Sequence, residues 1–318
     1  MPLVQAKTYV KSYTAGYNTR KEVNMEKYKD LNEAFVESLK LLNTDYSLVN
    51  SRGTLQKERL WHSLMIEDPT ALSIEVPARR FKPSYAVTEW LWYLSQDCNV
   101  KNIGKLASIW RAIADDTNQV ESNYGFWLHG LVNGITCQNQ WQWVIEELLN
   151  DKDTRRASLV INSTHHKGKN NKDYPCTQYI HFFIRDNQLH LGVHMRSNDA
   201  VFGFCNDVFT FCMYQQLMLN ELNARLESPL SLGHYYHSAD SFHVYESHFP
   251  MMDKIVKNYG AKHGTGTENP YPDLKKFKLQ DTITLQTIKD NSLQLPSHDM
   301  DKEEIQNYAK SQMEVLYV

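Results

Sequence analysis

The chain has 318 residues, a formal net charge of −3, 42% hydrophobic and 22% charged residues. That balance supports a sizeable core, in one large domain or two small ones. It excludes a basic surface of the kind that tracks duplex nucleic acid, and leaves open a small anion held by a few placed arginines.

The N-terminal stretch "MPLVQAKTYVKSYTAGYNTRKEV" lacks the apolar centre of a signal peptide, and no apolar run reaches the length of a membrane span. Residues 25–42 have helical spacing, with Leu31, Phe35, Leu39 and Leu42 on one face. Residues 43–58, around "NSRGT", read as polar and turn-like. The stretches 85–97 and 139–151 predict helices, the first crowded with aromatics. "QYIHFFIR" and "QLHLGVHMR" alternate on either side of Asp186-Asn187 and predict a hairpin. Residues 207–226 predict a long apolar helix with Asn206 or Asp207 as its N-cap. "FHVYESHF" reads as a short strand, and beyond about residue 260 the composition turns polar, with "GTGTENPYPD" as a loop. Helices and antiparallel strands mixed in this order predict an α+β fold.

Five scattered cysteines, Cys98, Cys137, Cys176, Cys205 and Cys212, argue against a disulfide framework and for a reducing, cytoplasmic compartment. "GAKHGTGT" (260–267) has neither the preceding strand nor the ending of a phosphate-binding loop. His165 and His166 sit in a polar loop expected to be exposed, without further ligands at metal spacing, so no metal is expected.

Several residues admit both a structural and a chemical reading. Cys176 is a small buried hydrophobe, or a thiolate stabilised by arginines of "DTRR" (153–156) and "MRS" (195–197). Glu89, among Trp90, Trp92 and Tyr93, is a solvated helix residue, or an inward carboxyl whose pKa rises toward neutrality and suits proton transfer. Asp207 is a helix cap or reads a ligand. Arg155 and Arg156 are a surface pair or anion ligands. His243 and Tyr245, two apart on a strand, share a face for packing or for binding. Trp110 and Tyr124 fill the core or line a site.

In order and spacing, "DTRR", "PCTQY", "MRSNDAVFGFCND" and "FHVYESHF" resemble the core of the thymidylate synthase family. They are most similar to its pyrimidine-nucleotide hydroxymethylase branch, typified by the deoxycytidylate hydroxymethylase of T-even phages. The resemblance covers roughly residues 85–250. It implies a mixed α/β sandwich that forms a homodimer through its sheet, with a catalytic domain over 1–260 that includes an N-terminal helical extension. A polar extension over 261–318 is expected to pack on the same domain, and the family's closing C-terminal tail would correspond to Val318. Cys176 matches the nucleophile that adds to C6 of the pyrimidine, and Glu89 the catalytic glutamate. Arg52, Arg196 and Ser197 match phosphate ligands. Arg155 and Arg156 match the pair that reaches the partner subunit's phosphate. His243 and Tyr245 match groups that hold the sugar 3′-hydroxyl, Asp199 the carboxylate at the pterin ring, and Trp110 and Tyr124 residues lining the folate and active-site cavity.

Three departures from the synthase pattern matter. Asp207 stands where synthases carry the asparagine that complements uracil; with its neighbour Asn206 it matches the hydroxymethylase pair. A neutral carboxylic acid accepts from cytosine N4 and donates to N3, and a carboxylate pairs with cytosine protonated at N3. Thr177 follows the nucleophile where synthases usually have histidine, and Ser241 replaces an aspartate. The resemblance therefore implies conversion of dCMP, 5,10-methylenetetrahydrofolate and water to 5-hydroxymethyl-dCMP and tetrahydrofolate. The same chemistry on dUMP or CMP, thymidylate synthesis, and a non-catalytic nucleotide-binding relative are the alternatives. Neither a metal, polymeric nucleic acid nor a membrane is expected as partner.

Overall fold

The structure is a computed structural model that describes residues 25–130, 139–168, 172–260 and 275–318. The N-terminal 24 residues, Cys137 and the glycine-rich stretch 261–273 lie outside the described residues. The elements run β1 (Glu26–Tyr28), α1 (Leu31–Thr44), β2 (Ser47–Ser51), β3 (Thr54–Ile66), α2 (Pro83–Ser95), α3 (Ile103–Leu106), α4 (Ser108–Ile113), α5 (Tyr124–His129) and α6 (Gln140–Asn150). Then follow β4 (Ser158–Val160), β5 (Thr177–Arg185), β6 (Gln188–Met195), β7 (Asn198–Asp199), α7 (Gly203–Asn223), β8 (Ser231–Tyr245), α8 (Phe249–Gly260), α9 (Leu285–Asp290) and α10 (Lys302–Leu316). The strands form one mixed sheet in the order β1-β3-β8-β6-β5-β4, with β2 on β3 and β7 on β8. This is the expected α+β class.

Leu31, Phe35, Leu39 and Leu42 are all buried in α1, which the 3.6-residue spacing anticipated. The helix starts at Leu31, not at residue 25, because Glu26–Tyr28 pair in parallel with Leu64–Ile66 of β3. The Asp30 side chain then accepts from the Glu33 N–H (2.9 Å) and caps the helix. Residues 43–58 are not simply turn-like. They hold a hairpin whose tip, Arg52 (φ 52°) and Gly53 (φ 79°), takes the left-handed conformations of a two-residue turn. The β5–β6 hairpin is the expected one, with Asp186 (φ 50°) and Asn187 (φ 58°) at its tip.

Helix α7 begins at Gly203, four residues before Asp207. The carboxylate of Asp199 accepts from the backbone N–H groups of Val201 (3.1 Å), Phe202 (3.1 Å) and Gly203 (3.4 Å). Asp199 therefore satisfies the free amides ahead of the helix, and neither Asn206 nor Asp207 is the cap. α7 is buried on all sides, with Phe204, Val208, Phe209, Phe211, Tyr214, Leu217 and Leu222 in the core. Each such side chain contributes about 1.5–3 kcal/mol by burial.

Of the strand expected over "FHVYESHF", only residues 242–245 are strand, the end of the fifteen-residue β8 between β3 and β6; Glu246–His248 form a 3-10 turn and Phe249 opens α8. Beyond residue 275, Phe277, Leu279, Ile283, Ile288, Leu295, Ile305 and Leu316 are buried in the same apolar cluster as α7. The Leu295 N–H donates to the Leu91 carbonyl (3.0 Å), so this segment braces α2. The Val318 N–H donates to the Lys278 carbonyl (3.0 Å) and the Tyr317 ring meets Phe277 edge-on, which ties down the C-terminal residue. The expected exposure of the histidine pair is half wrong. His165 is exposed, but His166 is buried against Trp127, ring centroids 4.6 Å apart. Among the described residues no helix is long and apolar enough to cross a membrane.

The ladder gathers one end of the sheet. β6 and β8 are parallel, so Arg196, just past β6, and Tyr245, the last residue of β8, lie at the same end. β5 runs antiparallel to β6 and places Thr177 opposite Met195, which puts Cys176 there too. β3 runs antiparallel to β8 and places Gln56 opposite Tyr245, which brings the Arg52 tip to that end.

Candidate active site

Cys176 is half-buried, with its carbonyl accepting the Arg196 backbone N–H (2.9 Å). The Arg196 guanidinium donates to the carbonyls of Tyr174 (2.8 Å) and Pro175 (3.2 Å) and lies 3.8 Å from the Cys176 Sγ. The approach to the cysteine is thus clamped by the arginine beside it. Asp173, three residues earlier, accepts from the Ser122 N–H and hydroxyl, both at 2.7 Å, and anchors the same loop.

Burial pushes the Cys176 thiol up to about 11; Arg196 opposes the rise, Asp207 and Asp173 add to it, and Arg52 opposes it again. The expected help from guanidinium groups is present in sign, but burial outweighs it, and Arg155 and Arg156 are not among its sources. The Arg156 side chain is 76% exposed and lies 4.0 Å from Glu147. These two arginines therefore leave their own chain's Cys176 and face solvent.

Tyr245 is half-buried with its ring edge-on to His243, centroids 5.0 Å apart. Its phenol is pushed up by burial, by Asp199 and by Cys176, and pulled down by Arg52 and Arg196, which places all four around it. His243 is buried and held below its ordinary pKa, chiefly by desolvation. Its Nδ1 lies 3.4 Å from the Ser241 hydroxyl, which itself donates to Glu58 (2.5 Å). Glu58 stands directly across the ladder from His243, so a neighbouring strand brings a carboxylate near the place where Ser241 replaces one. Ser197 follows Arg196 in the short link to β7, half-buried.

The second half of the site is carried by helices. Glu89 is buried on α2 and accepts from the Tyr85 hydroxyl (2.8 Å), which accepts from Trp110 Nε1 (3.0 Å). Desolvation pushes the Glu89 carboxyl up to about 7, against the pull of the Tyr85 and Trp110 hydrogen bonds. Asp207 lies in the second turn of α7 and accepts from Asn198 Nδ2 (2.8 Å). Desolvation and the charge of Glu89 hold its carboxyl well above the ordinary range, against the Asn198 hydrogen bond. The bulky walls are shared: Tyr124 is packed between Tyr93 (5.1 Å, 14°) and Phe211 (5.5 Å, 21°).

Both faces of the Tyr124 ring are therefore taken, and only its hydroxyl edge is left to meet a ligand. That edge is near the reactive groups, because Asp207 and Cys176 both raise its pKa. Trp110, buried and edge-on to Trp92 (4.7 Å, 61°), acts through Tyr85. Core filling, the structural reading of these two rings, describes most of their surface. Asn206, beside Asp207, has a buried Oδ1 with no hydrogen-bond partner among the described residues. The Asp199 carboxylate spends three lone pairs on the α7 amides and keeps one for a ligand donor.

Tyr85, Asn198, His237 and Glu58 escaped the sequence reading. Tyr85 had a visible signal, because it stands four residues before Glu89 on one helix face. Asn198, one residue from Arg196-Ser197, had none. Arg79 was also missed: it is buried, donates to the Val201 carbonyl (2.5 Å) and lies over the Phe202 ring (4.4 Å), which braces the loop after Asp199.

A family model described as thymidylate synthase matches residues 73–310. The deoxycytidylate 5-hydroxymethyltransferase of Enterobacteria phage T4 is 31% identical over 189 residues, 56% of this chain and 73% of that protein. The deoxyuridylate hydroxymethyltransferase of Bacillus phage SP01 is 27% identical over 247 residues, 72% of this chain and 61% of that protein. The thymidylate synthase of Buchnera aphidicola subsp. Baizongia pistaciae (strain Bp) is 24% identical over 174 residues, 54% of this chain and 62% of that protein. The matched region includes Glu89, Cys176, Arg196 and Asp207 and excludes Arg52. With most of its length matched, the chain belongs to the thymidylate synthase family.

Proposed function

We propose that this protein hydroxymethylates C5 of dCMP with 5,10-methylenetetrahydrofolate and water. The observation that carries the reading is Asp207: a carboxyl whose pKa desolvation and the charge of Glu89 hold well above the ordinary range, within electrostatic reach of Cys176. A neutral acid offers one acceptor and one donor. Cytosine presents a donor at N4 and an acceptor at N3, which the acid matches with its proton on the oxygen that faces N3; uracil presents the inverse. The phage T4 relative, named for deoxycytidylate, supports the same substrate.

In this reading Arg196, Ser197 and Arg52 hold the phosphate, and His243 and Tyr245 hold the sugar 3′-hydroxyl. The Cys176 sulfur adds to C6 while Asp207 neutralises charge on the base, which makes C5 nucleophilic. The folate supplies a single carbon at the formaldehyde oxidation level. Asp199 is suited to an N–H of its pterin by the one lone pair left free, and Asn206, next to Asp207 in the chain, has its Oδ1 as an unfilled acceptor for the nucleotide. After the carbon is joined to C5, the C5 proton leaves and the carbon–nitrogen bond to the folate breaks, which releases tetrahydrofolate and leaves an exocyclic methylene for water to attack. Glu89, with a pKa of about 7, is suited to take a proton from the water that completes the hydroxymethyl group. Rupture of the C6–S bond returns the thiolate and restores the ring.

A homodimer through the sheet accounts for the exposed arginines. Arg155 and Arg156 would reach the partner's phosphate, and the sheet strands carry the exposed Leu60, Trp61 and Tyr179 as surface to bury, Trp61 being 71% exposed. The enzyme would act in the cytoplasm.

The test incubates the protein with methylenetetrahydrofolate and dCMP, CMP or dUMP separately and identifies products by mass. The expected result is dCMP gaining one carbon, two hydrogens and one oxygen. A methyl product with dihydrofolate, or turnover of dUMP over dCMP, would overturn the reading.

A further inference from the structure

A line of buried hydrogen bonds runs away from the site behind Asp207. Asn198 Nδ2 donates to Asp207 Oδ2 (2.8 Å), and Asn198 Oδ1 lies 3.0 Å from His237 Nε2. His237 Nδ1 lies 3.0 Å from the Tyr235 hydroxyl. Asn198, His237 and Tyr235 are all buried. Tyr235 and His237 stand two apart on β8 and so face α7 together. The Phe204 ring meets His237 edge-on, centroids 5.2 Å apart, and holds the imidazole in place.

The polarity of this line is determined at its far end. Among the described residues the Tyr235 hydroxyl has one hydrogen-bond partner, His237 Nδ1. A buried phenol leaves its hydrogen unsatisfied only at a cost of about 1–3 kcal/mol, so it donates. His237 Nδ1 is then the acceptor, and in the neutral ring Nε2 carries the hydrogen. Desolvation holds His237 down to about 3, so the ring stays neutral. The Nε2–H meets Asn198 Oδ1, which turns the amide so that Nδ2 faces Asp207. Asp207 Oδ2 therefore accepts, and because a carbonyl oxygen is the better acceptor this favours the proton of the protonated acid on Oδ1.

We propose that Tyr235, His237 and Asn198 are positioning residues that set which oxygen of Asp207 carries its proton, and thereby set the choice of cytosine over uracil. This rests on the reading of Asp207 as the residue that meets the base. With Asn198 donating, Oδ2 is free to accept from N4–H while Oδ1–H donates to N3. Uracil demands the opposite arrangement. That arrangement puts the proton on Oδ2, the oxygen to which Asn198 Nδ2 donates, and a hydroxyl oxygen is the poorer acceptor, so it weakens the hydrogen bond that the line holds in place. None of the three residues touches the reacting atoms; they act through Asp207.

Tyr235→Phe tests this with little change of shape. Nitrogen NMR of ligand-free protein labelled at histidine reads which His237 nitrogen carries the hydrogen. Parallel assays with methylenetetrahydrofolate read kcat/KM for dCMP and for dUMP. The wild type should show hydrogen on Nε2 alone. In Tyr235→Phe the Nδ1–H tautomer should gain population, and the dCMP-to-dUMP ratio should fall by about tenfold or more at nearly constant Tm. His237→Gln, which keeps an N–H for Asn198, should retain more of the preference than His237→Phe. A wild-type ring protonated on Nδ1, or a Tyr235→Phe ratio equal to wild type, overturns the proposal. A wild-type preference for dUMP would instead overturn the cytosine reading. The ring nitrogens are read without substrate, so that failure is distinguishable from failure of the relay.

Discussion

The strand-borne and helix-borne halves of the site meet different electrostatic conditions. Arg52, Cys176, Arg196 and Tyr245 are brought to one sheet end by ladder register, and Cys176, Arg196 and Tyr245 keep partial contact with solvent. Glu89 is buried on α2 and Asp207 half-buried on α7, where desolvation raises both carboxyls. The first half is suited to hold an anion, because it gathers two guanidinium groups at one sheet end. The second is suited to move or place a proton, because Glu89 titrates at about 7 and the Asp207 carboxyl is raised well above its ordinary range. Cys176 belongs to the first half by position and to the second by its raised pKa.

The largest effect is expected where the halves meet. Cys176→Ala should reduce turnover on the order of 10^4-fold or more in a steady-state assay. Residual activity near wild type would remove the covalent role. In the free protein, alkylation of Cys176 should accelerate with pH up to about 11.

Glu89→Gln separates chemistry from packing. It should lower kcat about 10^2- to 10^4-fold and remove the limb of the kcat profile near pH 7. The same variant carries a stability signature with a definite sign. The Glu89 carboxyl has a pKa of about 7 in the fold, against the ordinary 4.5 of an unfolded chain, so the neutral group favours the fold fully below pH 4.5. That contribution is lost as pH rises through 7, at a cost of about 3 kcal/mol. Thermal melts should show Glu89→Gln more stable than wild type above pH 7, with little difference below pH 4.5. Equal stability across that range would mean the carboxyl is not desolvated.

Asp207→Asn should move the dCMP-to-dUMP preference toward dUMP by about 100-fold. An unchanged preference would leave Asp207 with a structural role only. The strand half is tested by charge. Arg52→Ala should raise KM for the nucleotide about tenfold with kcat nearly unchanged, since it removes one charge-assisted contact. For Arg156→Ala, mixing with Cys176→Ala protein should restore part of the activity, because one hybrid site would have both groups intact. No restoration would break the two-subunit arrangement.

Much of this was legible in the chain. The spacing of Leu31, Phe35, Leu39 and Leu42 marks a buried face, and Asp186-Asn187 marks a hairpin, because both signals are local. β2 and most of β8 were not visible. "SLGHYYHSADSFHVY" alternates, but with histidine, serine and tyrosine, so its buried positions lack an apolar signature. The start of α7 was misplaced for a related reason: Asp199 caps it from a preceding β-strand, outside the local cap pattern.

The sequence by itself determined the chemistry available: a cysteine at a strand edge, arginines around it, a glutamate among aromatics, and Asp207 in place of an asparagine. Those depend on residue identity and short spacing. Only the tertiary structure decided their states. Burial opposes the arginines at Cys176, stacking takes both faces of Tyr124, and Tyr235 orients Asp207 through two residues between them. Desolvation and hydrogen-bond direction are properties of what surrounds a group in space, and those neighbours come from strands and helices far apart in the chain.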